Sequence, residues 1–170
     1  MIGKIALSAL LLCACSLIQS TWLGPLAILG VKPDLGLITL IWLAYRNGPV
    51  EGTSAAFVSG LIDDTISAAP FGLNAFTKTL IAWFASFLHG AIYLDHFILP
   101  AILGASATFA KAGISILLAM VFSGTTEAYD LLGKLFWIET AYNACLAPIL
   151  FAVLGLSLNA FGTKDRKARL

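Results

Sequence analysis

Charge is scarce in this chain. Asp, Glu, Lys and Arg make up 11% of its 170 residues, whereas 59% are hydrophobic. A soluble domain of this size could not cover so much apolar surface with so few charged side chains. Cysteine is scarcer still. Cys13 and Cys15 lie inside the first apolar run and Cys145 inside the last, with no spacing that suits a metal or a disulfide framework. They read as small apolar residues.

Catalytic signatures are missing as well. His89 and His96 are seven residues apart beside one carboxylate, which is poor zinc geometry. There is no Gly-x-Ser-x-Gly, no phosphate-binding glycine loop and no Cys-x-x-Cys. Gly60-Leu61-Ile62-Asp63 lacks the second glycine of an intramembrane aspartyl protease. Asp63-Asp64 starts like an aspartate-rich prenyl-diphosphate motif, but no further carboxylate follows at the required spacing. The expectation is a protein that is not an enzyme, needs no cofactor or metal and has no nucleic-acid partner.

What the chain does have is a succession of apolar segments. They predict an all-α, polytopic membrane bundle of six transmembrane helices in one domain spanning 1–170. The helices are expected at about 4–23, 35–45, 50–68, 73–93, 97–122 and 135–161, with a basic tail over 162–170. The first apolar run continues past Cys13 and Cys15, so it reads as an uncleaved helix rather than a lipoprotein signal. The second helix is short for a full crossing unless it borrows residues from the loop before it. Lys4, Arg46, Lys164, Arg166, Lys167 and Arg169 fall on one side, against Lys32 and Lys134 on the other. That asymmetry predicts both termini in the cytoplasm.

Five ionisable residues sit well inside the expected spans: Asp63, Asp64, Lys78, Lys111 and Glu139. In lipid such residues turn inward and find partners. Asp63 and Lys78 each lie about six residues from the turn at Pro70–Gly72, so both are expected roughly 9 Å below the outer surface. Asp64 points about 100° away from Asp63 on a helix. One aspartate is therefore expected to face Lys78, and the other a different helix or an outward-open cavity. Lys111 reads as mid-membrane and Glu139 as about a turn below the outer end of its helix. The set is either a buried ion network that fixes helix packing or a binding site for a partner or ligand. Packing is the favoured reading, because nothing else chemical converges there.

The order of short motifs from Lys32 to Lys78 resembles the MreD family of bacterial rod shape-determining proteins. Lys32-Pro33-Asp34 is followed by an apolar helix, a turn with glycine, and Gly52, Gly60, Leu61 and Asp63 or Asp64 on the next helix. Pro70 and Gly72 then match a Pro-x-Gly turn. The resemblance implies a non-enzymatic subunit of the cell-elongation, peptidoglycan-synthesis machinery in the bacterial inner membrane. It would bind the single-pass protein MreC and act with the MreB filament, RodA and its penicillin-binding transpeptidase partner, in contact with membrane lipid. For the MreC helix, the small residues Ala101, Gly104, Ala105 and Ala112 on the fifth helix offer a close-approach face. A rival of similar architecture is the substrate-binding subunit of an energy-coupling-factor vitamin transporter. Ala6, Ala9 and Ala14 do not give the Ala-x-x-x-Ala spacing with which such a subunit docks.

Overall fold

The computed structural model describes residues 2–67, 70–89, 97–122 and 130–166, and for residues 26 and 157–166 the backbone alone. It is all-α: α1 (Ile2–Trp22), a 3-10 turn (Gly24–Leu26), α2 (Leu35–Ile66), α3 (Leu73–Ser86), α4 (Ile98–Val121) and α5 (Lys134–Arg166). Among the described residues three stretches are long and apolar enough to cross a membrane: Ile2–Trp22, Ile98–Val121 and Lys134–Leu156. The chain is a membrane protein.

The expected second and third helices run together as α2, so the described residues form five helices rather than six. Inside α2, Gly48 takes φ 79° and ψ −178°, and Pro49 follows it. Positive φ is open to glycine without a Cβ clash, and proline supplies no N–H to continue the ladder. On a straight helix Ala44 and Gly52 would be about 12 Å apart. Instead, a Cβ added at Gly52 would stand 2.7 Å from the Ala44 Cα. The two limbs of α2 therefore fold back on each other at Gly48.

Similar backbone contact recurs at two other junctions. A Cβ on Gly60 would collide with the backbone of Ala75, which binds the second limb of α2 to α3. One on Gly104 would lie 2.6 Å from the Asn143 carbonyl oxygen, which binds α4 to α5. In lipid, where apolar side chains gain little by leaving their surroundings, such close approach is a main source of helix association. α2 touches every other helix, whereas among the described residues α1 packs only on α2 and the 3-10 turn. Leu12, Ile38, Leu40, Ile41 and Leu43 fill the centre, fully buried.

Helix α2 borrows nothing from the loop before it. Asp34 caps it, its Oδ1 accepting from the Leu37 N–H at 2.9 Å. The loop turns tightly at Leu29 (φ 53°) and Gly30 (φ 83°) and then sinks between the helices. The Asp34 N–H donates to Asn143 Oδ1 at 2.8 Å. Asn143 is nine residues into α5, about 13 Å along its axis. The first limb is short because its start lies inside the bundle. Irregular backbone at that depth is tolerated where protein or a cavity surrounds it.

The remaining boundaries shift modestly. The helix expected at 73–93 ends at Ser86, and 90–93, like His96 and the tail from 167, lie outside the described residues. His89 holds a ring nitrogen 2.5 Å from the Tyr45 carbonyl oxygen, close to the Gly48 break.

Candidate functional site

Two ion clusters occupy the interior. In the first, Lys78 on α3 reaches Asp63 on α2 at 2.5 Å, and the Ser16 hydroxyl on α1 donates to the same carboxylate oxygen at 3.3 Å. Their near-equal distance from the Pro70–Gly72 turn brings them level, as the sequence suggested. In the second, Lys111 on α4 bridges two carboxylates, Asp34 at 2.6 Å and Glu139 at 3.0 Å. Lys111 lies about 15 Å below the end of α4 and Glu139 about 8 Å below the start of α5, and the long lysine stem spans the difference.

Asp64 does something else. Its carboxylate accepts from three backbone N–H groups at the start of α3: Gly72 at 2.9 Å, Asn74 at 2.8 Å and Ala75 at 3.1 Å. The alternative in which Asp64 pairs with Lys78 is thereby corrected. Rotation by about 100° from Asp63 turns its side chain toward the following turn, where unpaired N–H groups and the helix dipole favour an anion.

Asp34 joins the interior network, although in sequence it reads only as part of a Lys-Pro-Asp motif. Burial by itself disfavours its charge, and Lys111 beside it and the Leu37 N–H compensate. Behind it, fully buried Asn143 accepts from the Asp34 N–H and donates to the Thr108 hydroxyl at 2.9 Å. An aspartate after Lys-Pro signals a helix cap. Its depth is invisible until α4 and α5 are packed against it.

The two clusters face a common cavity of about 370 Å³, lined by Lys32, Asp34, Asp63, Lys78 and Lys111 and by neutral polar groups from α1 and α3. Gln19, Ser20, Lys32 and Asn74 place it at the end of the bundle remote from Ile2. Four of the five residues expected to form one network are thus split into two pairs, of which Asp63, Lys78 and Lys111 line the cavity and Glu139 stands behind Lys111, and the fifth, Asp64, anchors a helix. Each carboxylate is committed to a lysine or to backbone N–H groups. Among the described residues no group of three or more His, Cys, Asp or Glu side chains could hold a metal ion. Such an arrangement offers fixed charges for recognition.

The other motif positions acquire physical reasons. Lys32 lines the cavity, Pro33 is buried just ahead of the Asp34 cap, and Gly52 and Gly60 admit neighbouring backbones. Pro70 accepts from the Leu73 N–H at 3.2 Å, and Gly72 takes φ 95° while its N–H points at Asp64.

Fold and site together define a class: a helical membrane protein with an ion-paired polar cavity entered from one end of the bundle. A family model described as rod shape-determining protein MreD matches residues 3–157. The chain belongs to the MreD family, a shape-determining family rather than a known family of enzymes. No curated protein and no solved structure matches the chain, so the likeness to energy-coupling-factor subunits finds no support.

Proposed function

We propose that this chain is a non-enzymatic subunit of the bacterial cell-elongation machinery that holds an MreC-like single-pass protein in the cytoplasmic membrane. The wider assembly would include the MreB filament, RodA and its penicillin-binding transpeptidase partner. In this reading the chain forms one domain, crosses the membrane six times and keeps both termini in the cytoplasm. The family match and the rod-shape role it carries support the assembly. The fold-back at Gly48 and the basic asymmetry support the crossings.

The docking face proposed from the small residues of the fifth helix needs revision. Gly104 and Ala112 are buried, Gly104 directly against α5, so they do not face a partner. The observation that carries a better site is the polar cavity open at the end of the bundle. With both termini cytoplasmic, its mouth faces outward, where the segment that follows a single-pass helix begins. We place the partner's membrane-proximal segment at that mouth. The fixed charges there set its register, as electrostatic complementarity does at other interfaces.

Ser20 is exposed at the mouth, on the last turns of α1. Co-purification of a tagged chain with its MreC-like protein from native membranes tests the reading. Ser20→Trp should abolish recovery of that protein while leaving the melting midpoint of the purified chain unchanged. Recovery of an ATPase-bearing transport complex in its place would overturn the proposal.

A further inference from the structure

An apolar groove adjoins the polar cavity. Between α3 and α4 lies a groove of about 230 Å³, floored by Ile41 of α2 and walled by Phe84, Leu103 and Ala110. Ile81 lines both spaces, so the cavity and the groove meet across a single side chain. The groove does not fit a helix: one about 10 Å across would fill that volume with roughly 3 Å of its length. It does fit a hydrocarbon chain one atom wide.

The charges at the polar end form two poles. Asp63 and Lys78 cancel. Asp34 and Glu139 share Lys111, which leaves that triad with one excess formal negative charge. Lys32 lines the same cavity without an ion pair among the described residues and supplies one positive charge. Glu139 stands behind Lys111 and does not line the cavity; counted with it, the charges sum to zero, and an unpaired lysine and an aspartate in the lining match the two ends of a zwitterion. A wholly anionic head has no donor cation to offer the Asp34 carboxylate.

We propose that cavity and groove together bind one phospholipid with an ethanolamine head. Its phosphate contacts Lys32, its ammonium donates to the Asp34 carboxylate, and one acyl chain passes Ile81 into the groove between α3 and α4. Each carboxylate oxygen of Asp34 has a second lone pair for such a donor. A choline head has no N–H to give, and a glycerol head has no cation. Free phosphoethanolamine carries the same head chemistry but gains nothing from the groove. The site rests on the chain alone and does not depend on a protein partner.

The test uses the purified full chain, without partner, in micelles doped with lipids of identical acyl chains. The expected result is a saturable rise in melting midpoint with phosphatidylethanolamine that exceeds the rise with phosphatidylcholine or phosphatidylglycerol. Free phosphoethanolamine should give no comparable rise. Lys32→Ala should raise the half-saturating lipid concentration about tenfold or more, the usual effect of losing a charge-assisted hydrogen bond. Ile81→Trp should block the passage between the two spaces. Because Ile81 is buried, Ser106→Leu on the exposed groove wall provides a second variant with the same expected loss. Equal stabilisation by all three lipids, the strongest effect from phosphatidylglycerol, full activity of the free head, or an unchanged Lys32→Ala would each overturn the proposal. These measurements use no partner, so their failure is distinguishable from a failure to recover the MreC-like protein.

Discussion

Lys111 Nζ lies 2.6 Å from Asp34 Oδ2, tying α4 to a residue 77 positions earlier in the chain. The same ammonium holds Glu139 on α5. One side chain therefore joins the sunken loop and the first limb of α2 to the α4–α5 pair. Replacing it removes the ammonium from two carboxylates at once, whereas replacing Glu139 leaves the Asp34 pair intact.

Lys111→Met is accordingly expected to lower the melting midpoint in detergent more than Glu139→Gln does. Breaking a buried pair costs about 3–5 kcal/mol in soluble proteins, and this value is an upper guide where water and snorkelling relieve the charge. Equal midpoints for the two variants would show that Lys111 does not serve both carboxylates.

Asp63 and Lys78 form the second pair, with side chains 21% and 15% exposed. Lys78→Met alone should destabilise by stranding Asp63, and Asp63→Asn added to it should recover part of the loss. Asp64→Asn added to Lys78→Met should recover none. A thermal-stability cycle over these variants decides it, and recovery through Asp64 would reverse the assignment of the two aspartates.

Asp64 caps α3 rather than pairing with a cation. Asp64→Ala removes three backbone hydrogen bonds and should cost about 2 kcal/mol or more, at the upper end for helix caps. Asp64→Asn keeps an acceptor and should fall between. Its effect should add to that of Lys78→Met, because the two residues share no bonded partner. Strong coupling between them in the same melting assay would contradict the cap.

Two glycines on α4 provide a packing test. A methyl group at Gly104 would meet the Asn143 carbonyl oxygen at 2.6 Å and the Ala147 Cβ at 2.9 Å. Gly104→Ala should thus cost about 1–3 kcal/mol, as overpacking does, and should disturb the asparagine that holds the Asp34 N–H. Gly113 has open space around it. Gly113→Ala should be neutral or stabilising by up to about 1 kcal/mol through helix propensity. If both variants melt alike, α4 and α5 are not in backbone contact.

The proposed crossings predict where reporter fusions work. A green fluorescent protein fused after Leu170 should fluoresce, and alkaline phosphatase fused there should be inactive. A phosphatase fused in the loop near Gly30 should be active. The opposite pattern at the C-terminus would give an odd number of crossings and remove the outward orientation of the cavity.

Composition and hydropathy alone were enough to establish a helical membrane protein, because an apolar run must satisfy its own backbone hydrogen bonds in lipid. Helix limits near Trp22, Leu73 and Val121 were legible to within a few residues, since Gly-Pro, Pro-x-Gly and polar stretches interrupt the runs. Local counting also brought Asp63 level with Lys78, because both are measured from one turn. Tertiary structure decided the rest. Sequence separation says nothing of which α4 and α5 side chains stand beside the loop at Asp34, so the Lys111 bridge and the role of Asn143 stayed hidden. The split between Asp63 and Asp64 depended on the angle at which α3 meets α2, set by the backbone contact between Gly60 and Ala75. The cavity exists because the loop at Lys32–Asp34 sinks into the bundle. That placement takes the Asp34 N–H and carboxylate and the Gly36 N–H away from water, and Asn143, Lys111 and Gln19 satisfy them from three helices.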